Sequence, residues 1–348
     1  MDLLDSIDVR GRPAEVQLWR GDLTTLSEAE AVDLLVVSAF PGDYIPTRGS
    51  LIGALERKGL SVGMLALDKD VDLTGSFSCW LSKEFEPPDP GLRFRRILCF
   101  EPLRRGEPPE VVGDIFRALI PVLAEKPEIR VIALPLVAAG DQGFQVEEMT
   151  TSLVDAGLHW LENGLALDVI RVVAYRDAQA QVALEAFSKY KRHYCSTTEG
   201  SGPAAESTRT KESDYDVLMS YSRANVRECE QMVRLLQRSS PDIRVFLDQH
   251  EISIGAPWPL TVFESVDRCR RVVVMLSPAY LTSKVCLEEF NVAFIRSLDV
   301  DGAFIFPVLL YTTILPSYMK RNYFDCREGD STKIAAASAR LLGELAEG

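Results

Sequence analysis

The chain has 348 residues, 47% of them hydrophobic and 26% charged, with 38 Lys and Arg against 51 Asp and Glu for a formal net charge of −13. That length suggests two domains of ordinary size, each able to bury its own core, and the composition is that of a soluble globular protein. The acidic balance speaks against a nucleic-acid or anionic-membrane surface, which needs a basic field, but leaves room for a local pocket holding one anionic nucleotide.

Seven cysteines stand far apart at 79, 99, 195, 229, 269, 286 and 326, and there are three histidines and no CxxC pair. No metal site is expected from that pattern, and the thiols are expected to be reduced and buried in a cytoplasmic protein. The opening Met1-Asp-Leu-Leu-Asp-Ser-Ile-Asp8 places acids where a signal peptide carries bases. No run approaches the ~18 apolar residues of a membrane span.

Short apolar runs alternate with helical patterns along the whole chain. Strand-like runs fall at Val16–Trp19, Leu34–Val37, Ile97–Phe100, Val131–Leu134 and Val169–Ala174, with helical patterns near 49–59, 111–124, 146–163 and 178–191. Proline and glycine between 86 and 94 mark a loop. The stretch from Cys195 to Glu212 is rich in Ser, Thr, Gly and charge, with almost nothing to bury, and reads as a flexible linker. This divides the chain into residues 1–193, a linker at 194–212, and residues 213–348. Beyond it, strand-like runs fall at Val217–Ser220, Val245–Leu247, Val272–Leu276 and Phe304–Leu309, with helices near 226–237, 258–269, 284–297 and 332–346. Strands apolar on both faces and alternating with helices predict mainly parallel sheets covered on both sides, hence α/β architecture in each half.

In the first half, Val16-Gln-Leu-Trp-Arg-Gly-Asp-Leu-Thr24 is a strand entering a Gly-Asp turn, and Thr47-Arg-Gly-Ser50 leads into a helix. Ala133-Leu-Pro-Leu-Val-Ala-Ala-Gly-Asp-Gln-Gly143 runs from a strand through a glycine loop toward another helix. Small residues between strand and helix let backbone amides approach a diphosphate. The order of these segments over roughly 12–190 resembles a macro domain, the ADP-ribose-binding fold. That resemblance implies a mixed sheet and a nucleotide pocket using Asp22, Leu23, Gly49, Ser50, Ala139, Gly140 and Gly143, with Asp22 facing the adenine amine. Asp22 reads equally as a turn residue. Ser38-Ala-Phe-Pro41 stands where the family carries an asparagine-rich segment, and the first glycine loop is reduced to Arg48-Gly-Ser50. A scaffold or dimerisation module of the same topology is therefore an equal reading.

In the second half, Asp216-Val-Leu-Met-Ser-Tyr-Ser222 is a buried strand ending in hydroxyls and followed by Arg223. Asp248 to Trp258 forms a polar loop shaped by Gly255 and Pro257. Ser277-Pro-Ala-Tyr280 follows the third strand, and Ser283-x-x-Cys286-x-x-Glu289 opens an amphipathic helix. On a helical wheel Cys286, Leu287, Phe290, Ala293 and Phe294 form the core stripe, Glu288 falls opposite it in solvent, and Glu289 lies on the flank beside the sheet edge. The acidic pair could also simply complement the helix dipole.

Residues 213–348 resemble a TIR domain: Asp216–Ser222 its first box, Ile252-x-x-Gly255-x-x-Trp258 its BB loop, and Ser277-Pro278 with Tyr280 the exit of its third strand. Asn322-Tyr-Phe324 is a weak match to a later Phe-Trp pair, and Asn225 stands where many members carry Asp. The resemblance implies a flavodoxin-like parallel sheet in a three-layer α/β/α domain. TIR domains divide into NAD⁺-cleaving enzymes and non-enzymatic adaptors, and the enzymatic pattern falls on Ser283, Cys286 and Glu289. It implies an assembly-dependent NAD⁺ hydrolase in immune or cell-death signalling. Such an enzyme takes NAD⁺ as substrate, with no other cofactor, and Glu289 is its catalytic carboxylate. Ser222, Arg223, Trp258, Ser283 and Cys286 would line the substrate site. Asp248, Ile252, Gly255 and Pro257 would form the self-association loop. The residues themselves also allow Trp258 as an apolar anchor, Arg223 as a solvated surface charge, Ser283 as an N-cap and Cys286 as a buried hydrophobe. The rival function is an adaptor in which the TIR domain recruits other TIR domains and the first half senses an ADP-ribose-like ligand.

Overall fold

The computed structural model describes residues 1–102, 108–136, 145–196, 214–247, 266, 268–299, 304–320 and 322–347. The chain separates into two compact units, Met1–Ser207 and Thr208–Gly348.

In the first unit, β1 (Asp2–Asp8), β2 (Glu15–Arg20), β3 (Leu34–Ser38), β4 (Lys69–Leu73), β5 (Cys79–Ser82), β6 (Ile97–Phe100), β7 (Val131–Pro135) and β8 (Val169–Ala174) form one mixed sheet in the order β1-β2-β8-β7-β3-β6-β5-β4. The run β2-β8-β7-β3-β6 is parallel throughout. Antiparallel β1 closes one edge, and the antiparallel pair β5 and β4 closes the other. Helices α1 (Leu51–Arg57), α2 (Val62–Leu65), α3 (Thr74–Phe77), α4 (Pro108–Glu125), α5 (Val146–Glu162) and α6 (Asp177–Ser196) complete the unit. Leu34, Leu35, Val36 and Val37 in β3 are all fully buried, as required of a central parallel strand covered on both faces.

The sequence reading finds the central strands and misses the edges. β1 carries three acids and β4 two acids and a lysine, which hides any apolar alternation, and β5 is only four residues long. Helix α6 continues through Ser196, past the predicted end near 191 and into the stretch read as linker from 194.

In the second unit, β9 (Tyr215–Tyr221), β10 (Val245–Leu247), β11 (Cys269–Leu276), β12 (Ile305–Leu309) and β13 (Phe324–Asp325) form a wholly parallel sheet in the order β10-β9-β11-β12-β13. The order is that of a flavodoxin-like fold, and the topological switch point lies between β9 and β11. Helix α7 (Val226–Ser239) and the final helix Ser331–Glu347 cover one face, where Met232 and Leu236 pack with Ile334 and Leu341 over Val217, Met219, Val273 and Met275. Alternation along β9 turns Ser220 to the other face, where it meets Glu289 of the helix Lys284–Asp299. The helix predicted over 258–269 lies almost wholly outside the described residues, but its end does not hold: Cys269 is the first residue of β11. The apolar run 272–276 marks only the continuously buried part of that strand, which begins with buried Cys269 followed by exposed Arg270 and half-buried Arg271.

Candidate active site

At the carboxyl end of β11, Ser277 caps the short helix α8 (Pro278–Thr282) by accepting a hydrogen bond from the Tyr280 amide at 3.0 Å. Proline at the first helical position and serine before it are a strong helix start. The Ser277 hydroxyl in turn donates to Asn225 Oδ1 at 2.6 Å. Asn225 is thus a buried brace between the exit of β9 and the exit of β11, a role its amide fills without the charge of an aspartate.

Ser283 separates α8 from α9 (Lys284–Asp299). Its Oγ accepts from the Cys286 amide at 3.4 Å, and its carbonyl accepts from the Leu287 amide at 3.1 Å. Ser283 therefore acts as the helix N-cap. Glu289 consequently lies in the second turn, where complementing the helix dipole has lost most of its force.

Glu288 does not reach solvent. It is 2% exposed and Glu289 is 5% exposed. Every residue from Cys286 to Ile295 is buried, so that stretch of α9 has no solvent face on which to place a charge. The wheel assumed a surface helix, and that assumption fails here. Glu289 is singled out instead by a partner on the sheet: the Ser220 hydroxyl of β9 donates to its Oε2 at 2.5 Å. Ser220 Oγ also lies 2.7 Å from the Tyr280 hydroxyl, which donates to the Cys286 carbonyl at 2.8 Å. Ser220 and Tyr280 are both fully buried. Neither was among the expected site residues. The only sequence signal for Ser220 was a hydroxyl inside an otherwise apolar strand.

Burial pushes the Cys286 thiol up to about 12, with the Glu289 carboxylate adding to the shift. It is a small buried core residue, not a nucleophile. Cys79, Cys99, Cys229, Cys269 and Cys326 are buried too, and Cys195 is exposed. The native chain is therefore expected to take up one alkyl group from iodoacetamide at neutral pH, on Cys195, as read by intact-mass and peptide mapping. Modification of Cys286 under the same conditions would contradict its burial.

Ser222 is nearly buried, and its Oγ accepts from the Ala224 amide at 3.4 Å, capping the turn Arg223–Asn225. Arg223 is exposed. Asp248, Ile252, Gly255, Pro257 and Trp258 lie outside the described residues, as do Ala139, Gly140 and Gly143 in the first unit.

Residues 217–342 match the family model of the TIR domain. The second unit is a TIR domain. Its match begins in β9 and ends in the last helix, so it takes in Ser220, Tyr280 and Glu289 together.

The remaining candidates lie in the first unit. Asp22 Oδ1 accepts from both the amide and the hydroxyl of Thr24, at 2.9 and 2.7 Å, and so builds the turn after β2. Leu23 is buried in the core. Ser50 caps α1 by accepting from the Gly53 amide at 3.0 Å, and Gly49 is exposed beside it. Gly53 is a requirement the sequence did not reveal: a Cβ there would stand 1.8 Å from the Thr47 carbonyl oxygen.

No curated protein matches the chain. Among solved structures, a macrodomain of Oceanobacillus iheyensis with MES bound is 15% identical, covering 54% of this chain and 98% of its own at a TM-score of 0.42. A Trypanosoma brucei macrodomain in complex with ADP is 22% identical, covering 49% of this chain and 68% of its own at a TM-score of 0.38. The same protein in complex with ADP-ribose is 20% identical, covering 54% and 74% at a TM-score of 0.39.

No helix among the described residues is long and apolar enough to cross a membrane.

Proposed function

We propose that the chain is an NAD⁺ glycohydrolase whose reaction is carried by Glu289. The observation that supports this reading most is a buried carboxylate held by Ser220 at the switch point of a parallel sheet, where open α/β sheets bind ligands. The nicotinamide of NAD⁺ is a cationic leaving group, so its departure needs no general acid. The ribose left behind becomes oxocarbenium-like, and a carboxylate fixed beside it stabilises that charge where little water competes. The products would be nicotinamide with ADP-ribose or a cyclic isomer.

The first unit would act as an ADP-ribose-like sensor or as a module holding the TIR domains in register. It would comprise residues 1–193, joined by a linker at 194–212. The motifs at Gly21-Asp22 and Leu134–Gly143 support that reading. Self-association through the loop 248–258 would complete the substrate pocket, in a cytoplasmic, immune-type signalling role.

The near-complete burial of Glu289 also fits a structural carboxylate in a non-enzymatic adaptor. The two readings separate in one assay: nicotinamide release from NAD⁺ by the purified full-length chain over a series of protein concentrations. Release that rises faster than linearly with protein supports an assembled enzyme. No release at any concentration, with self-association seen by light scattering, supports the adaptor.

A further inference from the structure

Tyr280 stands on a fixed backbone. Its amide donates to Ser277 Oγ at 3.0 Å, and the Ser277 hydroxyl donates to Asn225 Oδ1 at 2.6 Å. Its carbonyl accepts from the Ser283 amide at 3.1 Å. The residue is thus tied on one side to the exit of β9 and on the other to the cap of α9. Asn225, Ser277 and Tyr280 are all buried.

The ring of Tyr280 is fully buried, so phenylalanine would fill the same space without the cost of taking a hydroxyl out of water. The hydroxyl stands between groups on two different elements. Its oxygen lies 2.7 Å from Ser220 Oγ on β9 and donates to the Cys286 carbonyl on α9 at 2.8 Å. Burial drives this hydroxyl well above its ordinary range, so it keeps its hydrogen at neutral pH. A carbonyl has two lone pairs, so that of Cys286 can serve the helical ladder and the tyrosine together.

The two contacts lead to opposite ends of one side chain. Ser220 donates to Glu289 Oε2 at 2.5 Å, so the route through Ser220 reaches the tip of the glutamate. Cys286 comes three residues before Glu289 on α9, so the route through its carbonyl reaches the turn from which the glutamate springs. Support at root and tip is what holds a reacting group within about half an ångström of its working position. We infer that Tyr280 is the positioning residue of Glu289, setting the carboxylate through Ser220 and the helix that carries it through the Cys286 carbonyl. The consequence for catalysis rests on the proposed NAD⁺ reaction.

The test uses the full-length chain and begins without substrate. In Tyr280→Phe the ring stays and the hydroxyl goes. Amide hydrogen exchange over residues 284–292 is expected to quicken about fivefold, the effect of one lost hydrogen bond on a local opening. The rest of the TIR domain should exchange as before. Unchanged exchange over 284–292 would overturn the inference whether or not the chain cleaves NAD⁺. Exchange that quickens evenly over the whole TIR domain would mean a general loss of stability and would overturn it too.

Turnover then asks whether the hydroxyl acts through Glu289. Tyr280→Phe is expected to lower the kcat of nicotinamide release about tenfold and to leave KM within about twofold, since a displaced carboxylate weakens the transition state more than the bound substrate. Ser220→Ala cuts the route to the tip and should lower kcat in the same way. It carries the test if the tyrosine variant fails to fold, and an unchanged kcat there would count against the inference. The decisive comparison places Tyr280→Phe in Glu289→Gln. A residue that works by placing the carboxylate then has nothing left to place, so the double variant should turn over as slowly as Glu289→Gln and no slower. A further loss of about tenfold would give the tyrosine a role apart from Glu289 and overturn the inference. No nicotinamide release from the unaltered chain would sink the enzymatic reading, while local quickening of exchange over 284–292 would still support Tyr280 as the residue that sets α9 and Glu289.

Discussion

Replacing Glu289 with glutamine is expected to lower nicotinamide release by at least about 10²-fold, the scale on which loss of one fixed electrostatic stabiliser acts on a charged transition state. The melting temperature should stay within about 2 °C of that of the unaltered chain, because glutamine preserves the packing. Its amide oxygen can accept from the Ser220 hydroxyl as Glu289 Oε2 does at 2.5 Å, so the contacts of Ser220 with Tyr280 and of Tyr280 with the Cys286 carbonyl can stay in place. Glutamine thus keeps the shape and a hydrogen bond to Ser220 and removes the negative charge. Alanine would remove the charge and also open a cavity in a helix buried from Cys286 to Ile295, mixing two effects. Chromatographic measurement of nicotinamide, with calorimetry on the same samples, tests the claim. Equal turnover by the glutamine variant would take Glu289 out of the reaction altogether.

The second large effect is expected in the first unit. Glu101 follows β6 and is 6% exposed. Its Oε1 accepts from Trp80 Nε1 at 2.5 Å and from the Tyr44 hydroxyl, and its Oε2 accepts from the Gly42 amide at 3.3 Å. Trp80 is fully buried on β5, and the Tyr44 ring meets it edge-on at 6.0 Å between centroids. Burial, then the hydrogen bond to Glu101, drives the Tyr44 hydroxyl above its usual range, so it remains a donor. One carboxylate therefore ties the loop after β3 to the strands beside it.

Glu101→Ala would leave the indole N–H with no acceptor and the Tyr44 hydroxyl in need of a new one. The expected loss is about 3 kcal/mol, from stranded buried donors and two charge-assisted hydrogen bonds. For a unit of this size that is a fall of roughly 6–12 °C in melting temperature. Calorimetry should place the fall in the transition of the first unit and leave the TIR domain's transition in place, with each transition read separately. Nicotinamide release by the TIR domain should be unaffected at temperatures below the lowered transition. A shift below 2 °C would mean that the loop is held by other contacts.

Much of the fold was legible because burial on both faces writes itself into a strand as an unbroken apolar run. Leu34–Val37, Ile97–Phe100 and Val272–Leu276 fall on sheet strands for that reason, as does the run Phe304–Leu309 from Ile305 onward. The edge strands β1 and β4 face solvent on one side and alternate with acids, which makes them indistinguishable from loops in a single sequence. The position of Glu289 was legible too, from the spacing Ser283-x-x-Cys286-x-x-Glu289 after a strand and turn. The fate of Glu288 was not. A wheel sorts residues only when a helix has a wet side, and α9 is buried all round from Cys286 to Ile295.

By itself, then, the sequence determined two α/β halves, the TIR character of the second and the candidate carboxylate, because strand burial, turn chemistry and helix capping act over a few residues at a time. The tertiary structure alone decided what that carboxylate touches. Ser220 lies on β9, far earlier in the chain than α9, and the two meet only because a parallel strand and a returning helix bring them together across the sheet face. The hydrogen bonds that join Glu289, Ser220, Tyr280 and the Cys286 carbonyl are a property of that meeting, since they are set by distances between groups and not by their order along the chain.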